Sequence, residues 1–243
     1  MQKVISGQLV NYEVLGEKRK KDLLILHGWG GSLAEWRSIA ENLSARYKVW
    51  LVDFPGFGNS PRPPDSWTIY DYADLTADFI KSTGIKKCLV MGHSFGGRVA
   101  IVLGSKIQDL ISKLVLVDAA GLRMKSLKST VAGYIFDWFG PIKKYIPNNF
   151  KNLIGSADYK SAGPMRKIFV KTVSQDLTVE ITQLKILTLI IWGEKDLVLP
   201  IVEAAMIKHL IGKSVMRVVW GADHWPHLSK KDEFLNILEE EGI

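Results

Sequence analysis

The sequence predicts an α/β fold, a mostly parallel sheet of about eight strands with helices on both faces. Two observations carry this. Short apolar runs of strand length alternate with amphipathic segments of helix length along most of the chain. Several runs, among them "DLLIL" and "CLVM", are almost continuously apolar, as a strand covered on both faces requires. A third observation qualifies the first two. Between Leu122 and Gln183 no clear strand run occurs, yet the segment is rich in Tyr, Phe and Trp. It reads as a helical cap, residues 122–183, inserted into a core made of residues 1–121 and 184–243.

The elements follow in order. "KVISG" and "QLVNYEVLG" form an opening hairpin around Gly7. "DLLILHG" is a strand. "SLAEWRSIAENL" is a helix that Ser32 and Glu35 open as an S-x-x-E capping box. "YKVWLVDFPG" is a strand, and "PRPPD" after it a rigid turn. Thr68 to Thr83 is an amphipathic helix with acidic residues early, where the helix dipole favours them. "KKCLVMGHS" is a strand, "FGGRVAIVLGSKI" a helix and "KLVLVDAAG" a strand. After the cap come the strand "ILTLIIWGEKD", a helix opened by Pro200, the strand "SVMRVVWGADH" and the helix "SKKDEFLNILEEE". In sheets of this kind, sites form just beyond the carboxyl ends of the strands.

Composition removes several classes. The chain has 243 residues, 47% hydrophobic and 23% charged, as a packed globular protein does. Its one cysteine, Cys88, excludes an internal disulfide and a Cys-based zinc site, and its apolar run makes it a buried small residue. The start shows no basic-then-apolar leader and no stretch is long enough to span a membrane, so a cytoplasmic address is expected.

The informative stretch is "CLVMGHSFGGRVA". A serine attacks only when a base takes its proton, and it must be exposed on a rigidly held backbone. A sharp turn between a buried strand and a helix provides both. Such a turn leaves no room for side chains two residues either side of Ser94, and Gly92 and Gly96 fill those positions. Gly97 lets the helix pack close. The N–H of Phe95, at the helix N-terminus, is placed to donate to a developing oxyanion.

With this elbow the chain resembles the α/β-hydrolase family over essentially its whole length. Further motifs match one at a time. "LHGWGG" resembles the oxyanion loop of the family, built on His27 and Gly28; the match makes the Trp29 N–H the second oxyanion donor, with His27 organising the loop. "DFPGFGNS" resembles the D-x-x-G-x-G-x-S loop, which makes Asp53 structural. "GEKDLVLP" resembles the segment that holds the triad acid and points to Asp196. "GADHWPHL" resembles the segment that holds the catalytic histidine and points to His224. The order Ser94, Asp196, His224 is the one such hydrolases use.

Each assignment has rivals. Glu194 shares the loop of Asp196, and Asp118 follows a strand where some members of the family carry their acid. His227 competes with His224 but falls in the following turn. His93, beside Ser94, either shapes the pocket or packs. His209 is expected on the surface of a helix. With no third ligand beside the two nearby histidines, no metal is expected, and the resemblance implies no organic cofactor.

The resemblance implies a serine carboxylesterase for short to medium acyl esters, lactones such as acyl-homoserine lactones included. A serine at the elbow argues against haloalkane dehalogenases, which use an aspartate there. C–C bond hydrolysis and a non-catalytic binding role remain alternatives. Phe136, Trp138 and Phe139 of the cap, with Trp225 beside His224, are the candidate pocket residues.

Charge gathers in the cap. Residues 122–171 hold ten Lys or Arg against two Asp, while the whole chain carries +7, so the core is nearly neutral. A basic cap is either a solvated outer face or a landing site for an acidic carrier, a lipid surface or an anionic substrate. "HGWGGSLAEW" also resembles the equivalent loop of the pimeloyl-carrier methyl esterase group, which implies an acidic carrier protein and a carrier-linked ester or thioester as a further alternative. No nucleic-acid motif accompanies the charge, so nucleic acid is not expected.

Overall fold

A computed structural model describes residues 1–122 and 162–243. Strands β1 (Gln2–Ile5) and β2 (Gln8–Leu15) form the expected hairpin. Its turn residues Ser6 and Gly7 both have positive φ, 45° and 80°, which suits a two-residue turn to the twist of its strands. Next come β3 (Asp22–Leu26), α1 (Arg37–Leu43), β4 (Lys48–Val52), α2 (Ile69–Ser82), β5 (Cys88–His93), α3 (Phe95–Lys106) and β6 (Ile111–Val117). Beyond residue 161 lie α4 (Arg166–Ser174), α5 (Thr178–Gln183), β7 (Thr188–Gly193), α6 (Ile201–Leu210), β8 (Ser214–Val219), α7 (Pro226–Ser229) and α8 (Lys231–Glu240).

The eight strands form one sheet in the order β1-β2-β4-β3-β5-β6-β7-β8. The pairs β1–β2 and β2–β4 are antiparallel, and every other pair is parallel. Alternation sorts the side chains onto two faces. Leu23, Ile25, Leu89, Met91, Val115 and Ile191 face one core, closed by Trp36 and Ile39 near α1 and by Phe234 and Leu238 of α8. Leu24, Leu26, Val90, Leu114, Leu116 and Ile190 face the other, with α2, α3 and α6. Each of these side chains is buried, worth roughly 1.5–3 kcal/mol apiece. Cys88 is buried as expected, and burial pushes its thiol up to about 12.

Register aligns the strand ends. Leu26 pairs with Gly92, His93 with Val117, Val117 with Ile191, and Gly193 with Val219. The residues that follow β3, β5, β6, β7 and β8 therefore emerge along one edge of the sheet.

Two expectations are corrected. The capping box at Ser32 and Glu35 does not form: Leu33–Trp36 is a single 3₁₀ turn, and α1 begins only at Arg37. Ser32 Oγ accepts from Ala34 N at 3.3 Å, and the Asp53 carboxylate takes the Leu33 N–H at 2.8 Å, so an acid from just beyond β4 shares the capping with Ser32. His227 sits in the short helix α7 rather than in a turn, buried with its ring stacked on Trp36 at 3.9 Å.

Phe136, Trp138 and Phe139 lie outside the described residues, as does most of the segment read as a cap. Its described end is helical: α5 packs on α3 and α6, and Phe169 of α4 meets the Trp29 ring at 5.0 Å. Among the described residues, no helix is long and apolar enough to cross a membrane.

Candidate active site

Ser94 stands between β5 and α3 with φ 49° and ψ −108°, in the positive-φ region that side chains rarely adopt. Its N–H donates to the Val117 carbonyl at 3.0 Å, and its own carbonyl accepts from Arg98 N. The glycines act as the sequence reading required. A Cβ on Gly92 would run into the Gly96 carbonyl, and one on Gly96 into the carbonyls of Leu26 and His27. A Cβ on Gly97 would strike Ala119.

His224 follows β8, and its buried ring reaches both neighbours. Its Nδ1 lies 2.7 Å from Asp196 Oδ2, and its Nε2 lies 3.0 Å from Ser94 Oγ. The carboxylate can only accept, so Nδ1 carries the proton and Nε2 accepts from the serine hydroxyl. Asp196 Oδ1 accepts the N–H groups of Val198 and Leu199, at 2.7 and 2.8 Å. The structure thus joins Ser94, His224 and Asp196 into one chain of hydrogen bonds.

The rival acids lie elsewhere or beside it. Glu194 Oε2 accepts from Gly221 N at 2.8 Å and so braces the turn after β8. Asp118 is buried, with Oδ1 accepting from Gly193 N at 2.9 Å. Burial above all, and then the charge of Asp196, hold its carboxyl well above the usual carboxylate range. Asp118, Asp196 and His224 each bring one donor atom to within 4.8 Å of the others. That trio could ligate a cation only by breaking the bond from Nδ1 to Asp196 or the one from Nε2 to Ser94.

His93 bridges two loops. Its Nε2 donates to the His224 carbonyl at 2.8 Å, while its ring fills the space beside Gly28, where a Cβ would lie 2.7 Å from Nδ1. Burial, with the nearby histidines, keeps His93 well below its usual range and therefore neutral. The same hypothetical Cβ on Gly28 would sit 3.6 Å from Ser94 Cβ, so the loop after β3 lies against the serine. His27 organises that loop: Nδ1 donates to the Gly28 carbonyl at 2.7 Å, and Nε2 accepts from Phe54 N at 3.0 Å. Burial lowers it to about 4. Trp29 packs edge-on against Phe57 and Phe95. Trp225 is 42% exposed at the rim, its ring 5.0 Å from that of His224.

Asp53 is structural, accepting from Leu33 N, Asn11 Nδ2 and Asn59 N. His209 is exposed on α6.

One network went unread in the sequence. Glu203 of α6 is buried and accepts from Gly121 N and Leu122 N, at 3.0 and 3.1 Å, where the chain leaves the sheet. Burial raises it to about 7. Arg98 of α3, also buried, donates to the Gln175 carbonyl. The available signal was a charge inside an apolar helical run, in "GGRVAIV" and "IVEAAMI".

A histidine held between a buried aspartate and an elbow serine, at the edge of a doubly covered parallel sheet, defines a class of hydrolase. The comparisons place the chain within it. The family described as "alpha/beta hydrolase fold" matches residues 22–180, and the chain belongs to that family. The chain is 26% identical to a probable esterase from Oryza sativa subsp. japonica, covering 94% of this chain and 93% of that protein. It is 26% identical to the pimeloyl-[acyl-carrier protein] methyl ester esterase of Aeromonas salmonicida, covering 89% and 93%. A solved N-acyl homoserine lactone degrading enzyme superposes with a TM-score of 0.78 at 18% identity, covering 99% of both chains. The chain is accordingly an esterase-like α/β hydrolase.

Proposed function

We propose that the protein is a serine carboxylesterase for short to medium acyl esters, lactones included, with Ser94, His224 and Asp196 as its catalytic residues. The observation that carries this reading is the hydrogen-bonded chain from Asp196 Oδ2 through His224 to Ser94 Oγ, at 2.7 and 3.0 Å.

In this mechanism Ser94 Oγ attacks the acyl carbonyl as its proton passes to His224 Nε2. The charge that develops on the imidazole faces Asp196, whose carboxylate two backbone donors hold in place. The N–H groups of Trp29 and Phe95 receive the oxyanion, from a loop and a helix start that lie against each other. The alkoxide takes the proton from Nε2 and leaves, and the acyl group stays on Oγ. Water then gives a proton to Nε2 and attacks the acyl-enzyme. The acid departs and Ser94 recovers its hydrogen. Phe136, Trp138, Phe139 and Trp225 are the residues proposed to receive the acyl chain, as part of a cap over residues 122–183.

A fluorophosphonate probe tests the nucleophile directly. The expected result is one label per chain, on the peptide that contains Ser94, and none in Ser94→Ala. Labelling elsewhere, or none in a folded wild type, contradicts the reading.

A second reading, a carrier-linked acyl ester as substrate, is favoured by the ten basic residues between 122 and 171 and by the Aeromonas salmonicida relative. Two of these cations are committed to the core: Lys167 pairs with Asp65 at 3.0 Å, and Lys171 donates to the carbonyls of Asp65 and Ser66. Competition by an acidic acyl carrier protein against a chromogenic ester, lost as salt is raised, separates this reading from the first.

A further inference from the structure

Asp118 is an acid packed against the Asp196–His224 pair that the mechanism above does not use. The fold holds it there at a cost. Its φ is 41°, in the positive region that an aspartate occupies at a cost of roughly 1–3 kcal/mol. Its N–H is fixed on the Ile191 carbonyl at 3.0 Å, and its side chain is turned into the interior.

The donors around the two carboxyl groups are unequal. Asp196 receives three, from Val198 N, Leu199 N and His224 Nδ1. Asp118 receives one, from Gly193 N. No donor among the described residues reaches Asp118 Oδ2, and carboxylate oxygens of Asp118 and Asp196 lie within 4.8 Å of each other. Two carboxylates this close in a buried site cannot both ionise. The charge settles where three donors stabilise it, on Asp196, and the proton settles on Asp118. An ionised carboxylate has about four acceptor positions, so one remains on Asp196 for an O–H. The charged groups acting on Asp118 are Asp196, beyond β7, and more weakly Asp223, beyond β8.

We propose that Asp118 is a positioning residue: its carboxyl group keeps its proton, donates a hydrogen bond to Asp196 and so fixes the carboxylate that orients His224. This rests on the catalytic reading of Ser94, His224 and Asp196.

Three variants and two readouts test it. Asp118→Ala removes the donor. It is expected to lower kcat at least about tenfold with KM little changed. Asp118→Asn places an amide N–H donor where the O–H stood and is expected to recover most of the lost kcat. Asp118→Ala with unchanged kcat overturns the proposal. So does Asp118→Asn that is as impaired as Asp118→Ala, since a charge rather than a donor would then be needed. The second readout does not depend on turnover. The infrared difference between wild type and Asp118→Asn at neutral pH is expected to contain a protonated-carboxyl C=O stretch; its absence overturns the proposal. Failure of the esterase reading appears separately, as no ester hydrolysis in wild type and no difference between it and Ser94→Ala.

Discussion

His93 Nε2 donates to the main-chain carbonyl of His224 at 2.8 Å, so the residue before the proposed nucleophile ties down the backbone of the proposed base. The bond spans the gap between the end of β5 and the loop after β8. Replacing His93 by Leu leaves a buried carbonyl unpaired, at about 1–3 kcal/mol. The expected outcome is a lower melting temperature together with a kcat that falls more than KM rises. Thermal unfolding and steady-state kinetics on the same preparation check both.

Ser94 occupies a backbone conformation, φ 49° and ψ −108°, that glycine accepts more readily. Ser94→Gly should therefore stabilise the fold by about 1 kcal/mol after the added chain entropy of glycine is subtracted, raising the melting temperature by roughly 2–4 °C, while abolishing ester hydrolysis. Calorimetry reads the first and a chromogenic ester the second. A less stable Ser94→Gly would mean that the turn carries no strain.

Acid should weaken the fold through its buried histidines. An unfolded histidine protonates near pH 6.5, whereas burial holds His27 to about 4 and His227 to about 3. Between those values the unfolded chain binds more protons, so the stability is complete above pH 6.5 and is lost as pH falls towards 4 and below. Neither ring nitrogen of His227 meets a partner among the described residues, although the ring stacks on Trp36. His227→Phe keeps the stack and removes the proton site. It should raise stability at neutral pH by about 1 kcal/mol and flatten the decline in acid, as melting temperatures from pH 4 to 7 would show.

Glu203 acts in the opposite sense. Its carboxyl is raised to about 7, against 4.5 for an ordinary glutamate, so within that window the folded chain binds more protons and stability falls as pH rises. Glu203→Gln keeps an acceptor for Gly121 N and Leu122 N and cannot ionise. The variant should match wild type near pH 5 and melt higher at pH 8. An equal decline in both proteins would place the effect elsewhere.

The sheet was legible because its strands are nearly continuous apolar runs, and a run such as "TLIIWG" has no amphipathic helical reading to compete with it. The elbow was legible because Gly92 and Gly96 leave a local trace of a close approach. The reading also named three residues, far apart in the chain, that the fold brings within hydrogen-bonding distance. What escaped it depends on partners distant in sequence. Asp53 joins Ser32 in capping the turn because β4 ends beside β3. The environments of Asp118 and Glu203 are set by neighbours about 75 and 80 residues away, such as Gly193 and Gly121, which no spacing rule reaches. His227 looked like a turn residue because its stacking partner, Trp36, belongs to the other end of the chain.

The central claim, that Ser94 is the nucleophile of an esterase, is tested most directly by hydrolysis of p-nitrophenyl esters from acetate to laurate with wild type and Ser94→Ala. The account predicts a rate that peaks at one acyl length in wild type and falls at least about 10³-fold in Ser94→Ala, with the melting temperature unchanged. Hydrolysis that survives in Ser94→Ala, or a folded wild type inert toward every ester in the series, would contradict it.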